Sequence, residues 1–576
     1  MINFSIGKKS AVTFESMKIV FRNTILFLLF TTSSSITFSQ NLKFSFADSL
    51  RGSLRPQRTC YDVYYYDLFV RVNVLKKSID GYNNIYFHTI EKFTELQIDL
   101  FNNLSITKIL FRGEELKYKR VADAVFITFP IEQQVGDTGK LFIAYKGIPI
   151  SAKNAPWDGG FVWKKDANGK DWVGVACEGT GASLWWPNKD YLGDEPDSMK
   201  ITFNSPSGLT CVSNGRLINH FDIPDHTTNW IWKVSYPINN YNVTLNLADY
   251  ALVTDTFVRS NNSKLSLDYY VLKENEWKAK QHFQQVKTMM ACYEKVFGEY
   301  PFSRDGYKLV ESFYWGMEHQ TAVAYGNQYV NNKWGFDFII IHETAHEWWG
   351  NNVSCQDLAD MWIHESFATY AEALYEECTR GYDTSVAYLM NQKWNIEDKQ
   401  PIVGPYGVNY EHGDNDQYNK GAWMIHTFRN MLSNDDLFFS ILKGIQTQFG
   451  LKCITSDQLV QYINEQSNCD YTWFFHQYLN YSTAPVFTYS LKQKGKNSEL
   501  YYKWKSDVQE FRVPIKVVAS VTGEYAARKE SYLKIIPDTA WQKTVIKNLK
   551  VKDFAVDQTS VYCKTEFIKK LKGIKL

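Results

Sequence analysis

Residues 336–350 read FDFIIIHETAHEWWG, and this short stretch decides how the whole chain is read. At its centre stands His342-Glu343-Thr344-Ala345-His346, an HExxH inside an apolar, helix-compatible run closed by Gly350. On a helix, positions i and i+4 lie one turn apart on one face. Two imidazoles so placed can share one Zn²⁺ while Glu343 reaches the water beside it. HExxH also arises by chance, as two surface histidines on an ordinary helix, so the weight falls on its surroundings. A tetrahedral catalytic site needs a third protein ligand and one open position. Glu365 supplies a carboxylate, with 18 residues between it and His346, inside a second helical pattern, MWIHESFATYAEALYEECTRG. The other acids of that segment, Glu372, Glu376 and Glu377, fall on different turns and read as solvated helix charges. Six of the 11 histidines lie between positions 319 and 426. Of these, His364, His412 and His426 read as supporting or structural residues. The expectation is one Zn²⁺ per chain, held by His342, His346 and Glu365.

Outward from that stretch, the 576 residues divide into three or four domains at about 150 residues each. Hydrophobic residues at 44% and charged residues at 22% exclude a disordered or low-complexity chain. Lys+Arg at 63 against Asp+Glu at 62 leaves a net charge of +1, so no global field draws the chain to nucleic acid or an anionic membrane. Strand-like runs such as YDVYYYDLFVRVNV and KLFIAYKG fill residues 55–255, separated by turn signals such as NSPSG. From about residue 275 helical spacing takes over, broken by a loop near IVGPYGVNYEHGDND. Strand-like alternation returns after TAPVFTYSLKQ. This order predicts a multidomain α+β chain: an N-terminal β domain over 41–255, a mainly α catalytic domain over 256–484, and a small C-terminal β-sandwich over 485–576.

At the amino end, MKIVFRNTILFLLFTTSSSITFSQ begins at Met17 and has the charge order of a signal peptide. Residues 1–40 are therefore expected to be removed, with the start at Met1 or Met17. The mature chain is expected in the periplasm or outside the cell, without a stable membrane anchor. The nine cysteines are scattered with no CxxC pair and neither support nor oppose export; one or two disulfides, such as Cys453 with Cys469, can be drawn, and most read as buried thiols.

With these residues in place, the sequence resembles the aminopeptidase N family of zinc metallopeptidases, gluzincin exopeptidases built on HExxH-x18-E. MWIHESFATY is similar to the family's WLNEGFA segment. Trp315-Gly316-Met317-Glu318-His319 resembles its GxMEN motif, with Trp315 in place of Gly and His319 in place of Asn. Tyr418-Asn419-Lys420-Gly421 resembles Tyr-x-Lys-Gly. CEGTGASLWWPNKDYLGDEPDS resembles the segment ending in FPCxDEP and contains Glu178. FFHQYLNYSTAPVF resembles the join to a β-sandwich. The matches span about residues 55–500.

The resemblance implies an N-terminal β-saddle, a thermolysin-like catalytic domain and a C-terminal β-sandwich. It implies Glu343 as the proton acceptor and Tyr418 as an oxyanion donor. Glu318 and Glu178 would bind the substrate's amino end, with Gly316 and Met317 along its backbone. Substrates would be peptides with a free N-terminus.

The chemistry suits those residue types. Zn²⁺ lowers the pKa of a water towards 7 and polarises the scissile carbonyl. A carboxylate can move the proton to the leaving amine, and a phenol can donate to the oxyanion. Buried carboxylates bind an ammonium group best. Many relatives add a large helical domain that closes over the site. Only 92 residues follow Ala484 and they read as strands, so no helical cap is expected. The cleft is then open, or covered by a second subunit in a homodimer. Trp315, Trp348 and Trp349 suit either apolar subsites or core.

Three alternatives have different requirements. A thermolysin-like zinc endopeptidase shares HExxH and a downstream Glu but has no need of Glu318. A non-catalytic, zinc-containing peptide-binding relative predicts loss of Glu343 or Tyr418, and both are present. Relatives that hydrolyse leukotrienes use the same zinc site on an epoxide, and no feature of this sequence favours a lipid.

Overall fold

The structure is a computed structural model and describes residues 44–410, 415–522 and 529–569. The expected signal peptide and His412 lie outside the described residues. Among the described residues no helix is long and apolar enough to cross a membrane.

The strand Tyr61–Asn73 shows why the first half is sheet. Val63, Tyr66, Leu68, Val70 and Val72 are buried and alternate with outward-facing neighbours. A register shift against Ser78–Thr89 between Val63 and Tyr65 moves the alternation by one, which turns Tyr66 rather than Tyr65 inward. These two strands sit in an eight-stranded sheet. Within it Tyr61–Asn73 also pairs in parallel with Ser198–Pro206. A four-stranded and a three-stranded sheet complete this β region, which closes one hydrophobic core.

A five-stranded sheet comes next, in the spatial order Tyr250–Val258, Lys264–Leu272, Tyr307–Glu311, Val323–Tyr325, Gly316–Met317. The expected boundary at residue 255 falls inside its first strand. Gly316–Met317 is the edge strand, paired only through Val323–Tyr325. Helices then dominate. Glu276–His282 and Gln285–Phe297 occupy the expected helical stretch, the second ending at Gly298 with φ +109°. Helices continue through Thr472–Asn480. The last strands form a four-stranded sheet that contains Val486–Lys494 and Asn497–Lys505, and a two-stranded pair, Ile515–Thr522 with Lys529–Ile535. Their apolar side chains join the same core as the helices.

One disulfide links Cys292 to Cys378. Cys453 and Cys469, a candidate pair by sequence, are free thiols.

Candidate active site

The motif helix, Phe338–Ala345, is buried on every side. Removing each of Ile339, Ile340 and Ile341 from water contributes about 1.5–3 kcal/mol. A helix apolar all round belongs inside a protein. Its N-cap is Asp337, whose carboxylate accepts from Ile339 N–H at 3.1 Å, Tyr325 Oη at 2.8 Å and Asn327 Nδ2 at 2.8 Å. His346 caps the other end, and the chain turns at Gly350 with φ +126°. A Cβ at Gly350 would stand 3.3 Å from His364 and 3.4 Å from His346, so glycine lets the turn pass between two imidazoles.

The structure brings His342, His346 and Glu365 together. The two Nε2 atoms are 3.3 Å apart, and Glu365 Oε2 lies 3.3 Å from His342 Nε2 and 3.6 Å from His346 Nε2. A tetrahedron of zinc–ligand bonds of about 2.0–2.1 Å has edges of about 3.3–3.4 Å. The three donor atoms thus outline one face of a zinc polyhedron. Glu365 Oε2 is buried with no hydrogen-bond partner, as a ligand oxygen aimed at a cation would be.

The far side of each ring is also held. His342 Nδ1 lies 2.8 Å from Glu372 Oε1, and His346 Nδ1 donates to the Trp349 carbonyl at 2.9 Å. Both bonds leave Nε2 facing the common point. Burial pulls His346 down to about 4, which keeps its ring neutral.

Glu372 departs from its expected place. It is buried rather than solvated, and besides His342 it accepts from Tyr388 Oη and from Gln392 Nε2 at 2.9 Å. Glu376 is buried beside Arg380, and Glu377 receives both terminal nitrogens of Arg429. None of the three is an ordinary solvated charge. The seven-residue spacing from Glu365 is the available signal for Glu372, since two helical turns return to the same face.

Glu343 faces the edge strand. A Cβ at Gly316 would fall 2.3 Å from Glu343 Oε1, so glycine leaves the Glu343 carboxylate where it stands. Glu318, from the same segment, is buried, and its carboxylate lies with Glu343 and His346 in a cluster whose ligand atoms are within 4.8 Å of one another. Burial pushes the Glu343 carboxyl up to about 8 and that of Glu318 up to about 7. Met317 is buried and lines the cleft beside them. Both ring nitrogens of His319 are buried without partners, and burial holds that ring down at about 3.

Tyr418 stands before the helix Asn419–Leu432, its ring 6.2 Å from that of His342. The rest of its motif has structural causes. A Cβ at Gly421 would overlap Ser366 Oγ at 1.8 Å, so glycine permits the close approach of this helix to Trp362–Arg380. Ser366 Oγ in turn donates to the Gln417 carbonyl at 2.6 Å. Lys420 is buried and donates to the carbonyls of Tyr481 at 3.1 Å and Ser482 at 2.6 Å.

Glu178 enters from the β region, half-buried in the loop 177–181, and lines the same cleft. Thr180 O accepts from Arg51 at 2.7 Å and Gly179 O accepts from Asn409 at 3.2 Å, which holds the loop at two successive carbonyls. The cleft encloses about 830 Å³. Trp157 and Trp315 stand at its rim, 60% and 50% exposed, whereas Trp348 and Trp349 are core. Four buried carboxylates, Glu318, Glu343, Glu365 and Glu372, line it. The one lysine or arginine among its described lining residues is Lys333, whose ammonium donates to Asn391. Such a site is built for cations.

Residues 282–478 match the model of the peptidase family M1 domain. The chain carries a peptidase family M1 domain. It is 23% identical over 329 residues to aminopeptidase N of Escherichia coli, covering 52% of this chain and 37% of that one. It is 22% identical over 279 residues to endoplasmic reticulum aminopeptidase 1 of mouse, covering 44% and 29%. The chain thus spans less than two-fifths of the length of these curated relatives. An M1 zinc metallopeptidase from Deinococcus radiodurans shares its fold with a TM-score of 0.64 at 19% identity, covering 75% of this chain and 96% of that one. Legionella pneumophila aminopeptidase A does so with a TM-score of 0.75 at 15% identity, covering 89% and 60%. The M1 match takes in the motif helix, Glu318, Glu365, Glu372 and Tyr418, while Glu178 and the β region lie before it.

Proposed function

We propose that this chain is a zinc aminopeptidase that removes residues from the free amino end of peptides. The observation that carries the reading is the position of Glu318, a buried carboxylate that lines the cleft beside Glu343 and His346. A substrate ammonium held there sits one residue from the hydrolytic centre. An endopeptidase, which has chain on both sides of the cleaved bond, has no need of a buried carboxylate for a free ammonium there.

Zn²⁺ bound by His342, His346 and Glu365 would acidify a water and polarise the scissile carbonyl. Glu343, beside the proposed ligands, would serve as the base that takes a proton from water and passes it to the leaving amine. Its carboxylate lies against the edge strand at Gly316, along which a peptide backbone can run. Tyr418, whose ring lies 6.2 Å from that of His342 in the cleft lining, would donate to the oxyanion. Glu318 and Glu178 receive the ammonium group.

The C-terminal sheets are read as a small β-sandwich. The Cys292–Cys378 disulfide supports an oxidising compartment, and with it the export reading.

The test uses amino-acid anilides, free and N-acetylated, with and without a zinc chelator. Chelator-sensitive hydrolysis of the free-amine forms alone is expected. Equal cleavage of the acetylated forms would overturn the exopeptidase reading.

A further inference from the structure

Glu318 stands in a turn at the seam between two cores. Met317 packs with the β region, and Val323 packs with the helices. The turn is pinned from both sides. The Glu318 carbonyl accepts from Asn351 Nδ2 at 2.9 Å, and Thr321 N–H donates to Glu347 Oε1 at 2.7 Å, both from the segment after the motif helix. From the β region, Asn242 Oδ1 accepts from Gln320 N–H at 3.2 Å, and Asn214 Nδ2 donates to the Gln320 carbonyl at 2.8 Å. Gly215 N–H donates to Thr321 Oγ1 at 2.7 Å. These bonds hold Thr321 at φ +58°, a left-handed conformation that a β-branched residue adopts only under constraint.

The side chain has its own anchor. The Tyr241 hydroxyl donates to Glu318 Oε1 at 2.9 Å, and Tyr241 is buried. The direction of that proton is set from behind. His364 Nε2 accepts from the Cys355 N–H at 2.8 Å and so carries no proton in the neutral ring. The ring proton then sits on Nδ1, 3.5 Å from the Tyr241 oxygen, and the phenol proton is left for the carboxylate.

We infer that Tyr241 is a positioning residue for amine recognition: it occupies Oε1 of Glu318, fixes the carboxylate rotamer, and leaves Oε2 for the substrate ammonium. A phenol suits this place physically. A lysine or arginine there would form an ion pair and cancel the charge the ammonium needs, whereas a neutral donor orients the carboxylate and leaves its charge intact. The inference rests on Glu318 as the amine-binding group.

The test is Tyr241→Phe in the zinc-loaded protein, checked for a cooperative melt and for zinc content. Two readouts are compared, the KM and kcat for a free-amine anilide and the calorimetric Kd of the matching free amino acid. Both KM and Kd are expected to rise about tenfold, as for loss of one hydrogen bond to a charged group, with kcat within about twofold. In a Glu318→Gln background the same change is expected to add nothing, because Tyr241 acts through that carboxylate. Unchanged KM and Kd, a loss confined to kcat, or a full tenfold loss in the Gln background would each overturn the inference. Glu318→Gln alone separates the two readings. If it leaves the Kd of the free amino acid unmoved, the amine-binding role of Glu318 fails. If it weakens binding while Tyr241→Phe does not, the positioning role alone fails.

Should Tyr241→Phe not fold, His364→Gln replaces it. Glutamine can still accept from Cys355 but offers no donor towards the phenol. A KM rise of about threefold is expected, and no rise overturns the inference.

Discussion

The proposed function divides the cleft residues into a hydrolytic group and an amine-binding group, here called its two ends, and the two are built differently. The hydrolytic end comes from helices close together in sequence: His342, Glu343 and His346 from one, Glu365 and Glu372 from the next, and Tyr418 at the head of a third. The amine end is assembled from pieces far apart in the chain. Glu318 stands on a turn of the edge strand and Tyr241 in the β region. Glu178 sits in a loop whose carbonyls are held by Arg51 and Asn409. The first end derives its geometry from helix periodicity, the second from tertiary packing. Changes at the first should therefore appear in kcat or metal affinity, and changes at the second in KM and in discrimination for a free amine.

The largest effect is expected from Glu343→Ala, which should abolish turnover while zinc content stays near one per chain, since Glu343 is beside the ligands and not among them. Measurable turnover in a zinc-replete variant would remove the mechanism. Next comes Tyr418→Phe, with kcat lowered by about 10²–10³ and KM little changed, as for loss of one oxyanion donor. A rise in KM alone would move Tyr418 to the recognition end and blur the division. Glu372→Ala should weaken zinc binding by about 10–100-fold, measured by competition with a chelator, because His342 loses the partner that orients its ring. Unchanged affinity would reduce Glu372 to packing.

Glu372 also marks where the sequence stops being readable. HExxH and Glu365 are legible because a helix places i and i+4 on one face whatever surrounds it, and the β–α–β order is legible from the change of hydrophobic period. Glu372 carries the same periodic signal, two turns beyond Glu365. It reads as solvent-facing because burial on every side of Trp362–Ala373 is a property of the packed neighbours and not of the helix itself. Tyr241 has no local signal at all. It is 77 residues from Glu318, one of 37 tyrosines, and only the register of the β region against the turn at 318–321 brings the two together. The Cys292–Cys378 link has the same character. It joins Gln285–Phe297 to Trp362–Arg380 across 86 residues, a pairing that spacing does not encode.

The smallest expected effect tests the comparison most sharply, because the residue changed is not among those that line the cleft. The helix Phe46–Gly52 presses on the loop 404–410. A Cβ at Gly52 would fall 2.2 Å from the Val408 backbone, and Asn409 N–H donates to the Asp48 carbonyl at 2.9 Å. From that helix Arg51 reaches Thr180 O at 2.7 Å, two residues beyond Glu178, while its guanidinium lies over Phe101 and 3.9 Å from Asp190. Asp190 in turn accepts from the N–H groups of Ala182 at 3.2 Å and Ser183 at 3.0 Å, so the loop is gripped at its exit as well. Arg51→Ala releases one of these grips and leaves the others. The Glu178 loop should loosen without melting, and KM for free-amine substrates should rise about three- to fivefold with kcat unchanged. Arg51→Lys, which keeps a donor within reach of Thr180 O, should recover part of the loss. If kcat fell instead while KM held, the amino-terminal helix would be acting on the hydrolytic end. The two ends of the cleft would then be one mechanical unit and not two.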